Sequence, residues 1–183
     1  MGRHEGFVAE LYGDGVLAYF GYPAARENDA HRAVRAGLAI AAAVPNLEPP
    51  ANVRLSVRVG IATGMVVVGN QVVSGDVRKH GVVGDTPNLA ARLMALAEPG
   101  AVVVAESTCR LIGGAFDLKA LGPQRLKGVD DPVEVWLVQR ENENLERFEA
   151  SHLAGVTDLS GAARRSRCSS IAGAKFAAAK ARS

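Results

Sequence analysis

The stretch Val53–Ala62 places an apolar residue at every second position: Val53, Leu55, Val57, Val59 and Ile61. Successive side chains of a strand point to opposite faces, so a period of two held over this length specifies an extended segment with one face on a core. A helix would scatter the same residues around its circumference. A chain with such a strand has to build a sheet around it.

The flanking sequence supplies partners. Phe7–Tyr12 and Val16–Phe20 read as strands joined by Gly13-Asp14-Gly15, a hairpin turn. In Glu27–Val44, Ala30, Ala33, Val34, Leu38 and Ala41 recur at helical steps, and Pro45 ends the segment. After the alternating strand, Thr63-Gly64 turns into Met65–Gly69 as a second hairpin, and Val82–Val83 is a short apolar stretch. Asp85 or Thr86 caps a helix with Pro87 in its first turn, running to about Ala97 before Pro99-Gly100. Val102–Ala105, Phe116–Ala120 and Val133–Val138 read as strands, with Glu106–Ile112 a short helix between the first two. The order predicts an α+β fold, with helices on one face of a largely antiparallel sheet.

Charge divides the chain unevenly. From Ser151 onward there are six basic residues and one acid, net +5, whereas the preceding 150 residues carry −3. After Gly161 the composition falls to Ala, Ser, Arg, Lys and Gly, which bury too little to offset the entropy of ordering. Ser160–Ser183 is therefore expected to be disordered and basic, the competing reading being an amphipathic basic helix over Ile171–Arg182. Asn142–Ala150 reads as a charged helical extension. The predicted organisation is a folded domain over 1–140, a linker over 141–159 and the tail over 160–183.

Several function classes are disfavoured. Aromatics make up 5% of the chain and the body carries no basic face, which argues against a nucleic-acid binder. No apolar run approaches the ~18–20 residues of a membrane span, and Arg3, His4 and Glu5 interrupt any signal peptide at Met1–Ala9. Two cysteines, Cys109 and Cys168, suit a reducing cytoplasm.

Three features could carry chemistry. Asp14 sits at the tip of the first hairpin, although turn chemistry alone accounts for an Asp there. Asn88 and Arg92 lie four apart and share a helix face, where an amide and a guanidinium suit a ribose oxygen and phosphate charge; an ordinary solvated face is the competing reading. Lys127 beside Gly128 could approach a phosphate, or simply be exposed.

Five stretches change this balance: LYGDGVLAYFGYP, ENDAHRAVRAGLAI, VRVGIATGMVVVG, VVGDTPNLAARLMALAEPG and LGPQRLKGVDDPVEVW. In this order and spacing, the run from Leu11 to Val138 resembles the catalytic domain of class III nucleotidyl cyclases, closest to the bacterial kind that precedes an ATPase and helical-repeat region. The resemblance implies a ferredoxin-like βαββαβ core with added strands. It implies a homodimer, or a pairing with another cyclase domain, whose interface sites convert a nucleoside triphosphate to a cyclic nucleotide and pyrophosphate with two Mg²⁺ or Mn²⁺ ions, for intracellular signalling.

Residue by residue, Asp14 matches the second metal carboxylate, Asn88 and Arg92 the pair that orients ribose and stabilises the transition state, and Lys127 the triphosphate contact. The first metal carboxylate, with its central strand and the first helix, precedes the matched region in the family and is absent here. This implies an unpaired sheet edge and impaired activity, or a non-catalytic dimerisation module. The purine-selecting positions fall on Glu10 and Gly81. Glu10 suits guanine, whose N1–H and amino group a carboxylate can accept. The overall resemblance favours ATP over GTP.

Overall fold

The computed structural model describes residues 6–47, 55–73, 77–142 and 171–180. Their elements run β1 (Phe7–Tyr12), β2 (Gly15–Phe20), α1 (Asp29–Ala43), β3 (Leu55–Gly64), β4 (Val67–Val73), β5 (Val77–Val83), α2 (Asp85–Leu96), β6 (Val102–Ala105), α3 (Glu106–Ile112), β7 (Phe116–Gln124), β8 (Val133–Glu141) and β9 (Ile171–Lys180). Seven strands form one sheet in the order β1-β2-β9-β3-β6-β8-β7, and β4 and β5 form a separate two-stranded ribbon. Among the described residues only β3 and β6 pair in parallel, and the other ladders are antiparallel.

The alternating strand is central, as its pattern requires, but both of its faces are covered. Val57, Val59 and Ile61 join Ala33 and Val34 of α1, Ile112 of α3, and Val102 and Val104 of β6 in one core. On the other face Ala62 packs with Ala90 and Leu93 of α2, Val103 and Val135. The expectation of helices on one face is thereby corrected: α1 and α3 cover one side and α2 the other. The polar half of the alternation concealed this, because Gly60 is what admits α2. A Cβ at Gly60 would lie 2.2 Å from the Ala90 carbonyl oxygen and 2.3 Å from the Met94 nitrogen, so the helix backbone rests directly on the strand. Each large apolar side chain buried in these two cores contributes roughly 1.5–3 kcal/mol.

The start of α1 shows why its predicted boundary moves inward. Buried Asp29 accepts a hydrogen bond at 2.6 Å from the backbone N–H of Arg26, ahead of the helix, and pairs with Arg32 at 2.6 Å, its charge in the first turn suiting the positive helix end. Pro45 ends the α-helix as expected, with one turn of 3₁₀ over Val44–Asn46.

Three further expectations change. Met65–Gly69 does not fold back on β3; β4 pairs with β5, in a register running from Val67↔Val83 to Val73↔Val77. A local alternation signals an extended segment but does not choose its partner. The strands at Phe116 and Val133 are longer than their apolar cores suggest, because ladder pairing continues past the last buried side chain as far as Gln124 and Glu141.

The third change lies in the tail. Ile171–Lys180, read from composition as disordered or as a basic helix, forms β9 in the middle of the sheet. It pairs with β2 from Gly15↔Ala177 to Phe20↔Ala172, and with β3 from Leu55↔Lys180 to Gly64↔Ile171. The edge expected to stand open for want of a central strand is therefore paired. Composition measures what a segment could bury by itself; it is blind to a slot whose two walls both offer backbone donors and acceptors. The rest of the tail, the linker and the extension after Asn142 lie outside the described residues, as do Val53 and Arg54 of the alternating run.

Candidate functional site

Helix α2 begins where β3 ends, and small residues fix the junction. Thr86, 7% exposed, donates through Oγ1 to the Met65 carbonyl at 3.4 Å. A Cβ at Gly64 would come within 2.5 Å of that same oxygen. Thr63 and Thr108 are both buried and share a hydroxyl–hydroxyl bond of 3.0 Å, tying α3 to the same strand end. With Ala90 and Leu93 facing the sheet, the 3.6-residue period turns Asn88 and Arg92 toward the β7–β8 connection.

There they border a cleft of about 450 Å³ lined by Asp85, Asn88, Leu89, Arg92, Gly128, Val129, Asp130 and Val133. Asn88 is exposed and Arg92 half-buried. The facing wall is a turn in which the Val129 N–H donates to the Leu126 carbonyl at 3.1 Å, with Leu126 pinned in the core below. Gly128 adopts φ +71°, and a Cβ built on it would stand 3.1 Å from Arg92 Nη2. Glycine is what lets this turn lie against the guanidinium. Lys127, next in the turn, is exposed at the rim.

Arg92 differs from the arginines elsewhere that lock into carboxylates: Arg32 with Asp29, Arg35 with Glu141, Arg110 with Glu106 and Arg140 with Asp117. Among the described residues, the Arg92 side chain makes no hydrogen bond or ion pair, and neither do those of Asn88 and Lys127. A half-buried planar donor fork without a partner, beside an amide and a lysine, suits an anionic ligand carrying hydroxyl groups.

The other sequence candidates stand apart from this cleft. Asp14 is exposed at the tip of the β1–β2 hairpin. Glu10 lies on β1, where a bulge between Val8 and Glu10 shifts the register. Gly81 lies on β5, paired with Gly69 in the ribbon, so the two purine-selecting candidates belong to different sheets.

The described residues around Asp14 do not by themselves make a divalent-metal site within one chain. Among the described residues no three His, Cys, Asp or Glu side chains converge, and hard divalent ions take about six oxygens. The strand running past the hairpin pairs Ala177 with Gly15 and offers no carboxylate of its own.

Sequence reasoning passed over two features. Asp85, which by sequence is only a helix cap, and Asp130, which carries no sequence signal of its own, both border the cleft. Arg58, on the same register row as Ala177 and Gly15, buries an Nε with no hydrogen-bond partner among the described residues. Its place in the alternating strand was the available signal: a polar position in a central strand needs a reason.

Comparisons with known proteins agree with this architecture. Residues 3–140 match the family described as the adenylate and guanylate cyclase catalytic domain. The chain belongs to that family. It is 34% identical over 151 residues to the uncharacterized protein R02095 of Rhizobium meliloti, covering 82% of this chain and 15% of that protein. It resembles the guanylate cyclase domain of RhGC from Catenaria anguillulae, solved with GTP, at TM-score 0.70 and 27% identity over 77% of this chain and 76% of that one. The adenylyl cyclase CyaB from P. aeruginosa gives TM-score 0.69 and 26% identity over 77% and 75%. The chain spans 15% and 21% of the length of two curated relatives it matches. Among the described residues no helix is long and apolar enough to cross a membrane.

Proposed function

We propose that this chain acts in cyclic nucleotide synthesis, with ATP ahead of GTP as substrate, by contributing the Asn88–Arg92 cleft to a site completed by a second cyclase domain. That domain is another copy of this chain or a different cyclase, and the setting is cytoplasmic signalling. The unpaired, half-buried Arg92 guanidinium against Gly128 carries this reading.

In the reaction, the 3′-hydroxyl of the nucleotide gives up its proton to solvent, its oxygen forms a bond to the α-phosphorus, and the bond to the departing pyrophosphate breaks. Negative charge grows on the phosphoryl oxygens as this happens. Arg92, held at the cleft mouth before substrate arrives, would meet that charge with donors already oriented. Asn88, one helical turn earlier, would hold a ribose oxygen, and Lys127 at the rim would take the terminal phosphates. Mg²⁺ or Mn²⁺ belongs to the reaction by family resemblance. Here one chain offers Asp14 alone toward it, and Asp14 is assigned to the other end of the composite site.

The first test supplies Mn²⁺ and either ATP or GTP to the purified chain and measures cyclic product against Arg92→Ala and Asp14→Ala. Product that falls with both substitutions supports a site working within a homodimer. A folded chain with no product favours the second reading, a module that lends Asn88 and Arg92 to a metal-competent cyclase; the lone Asp14 speaks for it. Product unchanged by Arg92→Ala overturns both. If GTP is the better substrate, Glu10→Lys should reverse the preference.

A further inference from the structure

We propose that the gap between β2 and β3 is a strand-acceptor groove, and that two copies of this chain can fill each other's grooves by exchanging β9. The inference does not rest on the enzymatic reading.

Sheet connectivity carries it. Among the described residues β2 and β3 share no ladder, so every backbone pairing there that joins β1-β2 to β3-β6-β8-β7 runs through β9. The groove has two hydrogen-bonding walls: six residues of β2 and ten of β3 are in register with the inserted strand. An occupant needs an extended segment with small or apolar residues where the walls are buried. β9 meets this by register: Ala174 stands opposite Ala18 and Ile61, and Phe176 opposite Val16 and Val59.

The connection does not force the strand to come from the same chain. Residues 143–170 separate β9 from the rest of the described fold. That many residues can span up to about 90–100 Å when extended. Returning along the sheet and crossing from β8 past β6 and β3 needs roughly half of that, at about 3.3 Å per residue and 4.8 Å per strand. The surplus length leaves the groove of a neighbouring copy within reach, and local concentration rather than geometry decides which groove is filled.

Composition makes release feasible. Of the ten residues of β9, five are Ala, one is Gly and two are Lys, so little apolar area holds the strand beyond its ladders. An identical element exchanged between protomers preserves all of its contacts, which makes exchange a low-cost route to a dimer.

Paired cysteines in the full chain test this, with Cys109 and Cys168 replaced by Ser. One chain carries Ala18→Cys and the other Ala174→Cys, positions directly opposite in the β2–β9 register. Opposed residues of an antiparallel pair lie about 4.5–5.5 Å apart at Cα, within disulfide range. After mixing and oxidation, exchange gives a covalent heterodimer whose yield rises with protein concentration. A control with Ala179→Cys in place of Ala174→Cys, out of register with Ala18, stays uncoupled. A second pair on the other wall, Ser56→Cys with Ala179→Cys, guards against a folding defect in the first.

Placing both cysteines of a pair in one chain distinguishes the alternatives. Crosslinking only within a chain, with no heterodimer at any concentration, overturns exchange. No crosslink of either kind in folded protein overturns the groove itself. Equal coupling by the out-of-register control shows random collision and also overturns the proposal.

Discussion

The two halves of the sheet are held together by different means. Around β3, β6 and β8 the strands pair directly with one another and pack against helices, with Val59, Ile61, Val104 and Val135 of the strands and Leu93 of α2 fully buried. Around β1 and β2 the sheet is joined to the rest through β9, whose residues are mostly Ala, Gly and Lys. Side-chain burial holds both halves, since Ala18 and Phe20 of β2 lie in one core with Val59 and Ile61; the means that differs is the backbone link, which for the second half runs through β9 among the described residues. The cleft with Asn88 and Arg92 belongs to the first half and Asp14 to the second. The preformed, unpaired guanidinium is thus on the side whose strands pair directly, and the metal-type carboxylate is on the side joined to it through β9.

The contrast is broken most severely at Gly60. Gly60→Val forces side-chain atoms into the α2 backbone, and this should prevent a cooperative fold or cost more than about 4 kcal/mol in urea unfolding. If Gly60→Val unfolds like the parent chain, α2 does not rest on β3 as described. Leu93→Ala is the milder form of the same attack, removing a fully buried side chain of α2 at a cost of about 2–5 kcal/mol.

Hydrogen exchange sharpens the comparison without mutation. Amides of Ile171–Lys180 should exchange before those of Val102–Ala105, by about tenfold or more, because a segment made mostly of Ala, Gly and Lys brings few large apolar side chains to resist local opening. Equal protection would mean that β9 is as firmly cemented as the core. The smallest effect concerns Cys109, partly buried on α3. Burial raises its thiol pKa, and nearby Glu106 raises it further against the opposing influence of Arg110. At pH 8 the folded protein should hold less thiolate there than a free cysteine and alkylate several-fold more slowly, the difference vanishing in urea.

What could be read from sequence follows the same division. The alternation of β3, the periodicity of α1 and α2 and the Gly-Asp-Gly hairpin were legible because burial writes itself into residue type. The second covered face was not, since glycine at position 60 records a close approach only to someone who knows what approaches. β9 was illegible for a deeper reason: nothing in Ile171–Lys180 predicts order until β2 and β3 stand a strand's width apart. At the site, the i, i+4 spacing placed Asn88 and Arg92 on one face, and the structure sets both on the cleft. Gly128 as the wall against Arg92, Asp130 at its edge and Arg58 near the hairpin required coordinates, because each depends on segments distant in sequence.

The central claim is that this chain carries a working Asn88–Arg92 half-site, and a complementation assay addresses it directly. The chain is mixed with a cyclase domain that keeps its metal carboxylates but has its own equivalent Asn and Arg replaced by Ala, and cyclic nucleotide formation is measured with Mn²⁺ and triphosphate. The account predicts that the parent chain restores product formation, and that Arg92→Ala lowers the restored rate by about 10²–10³-fold while leaving stability within about 0.5 kcal/mol. Restoration that is equal for the parent chain and Arg92→Ala, or absent across partner cyclases shown to associate with the chain, would contradict it.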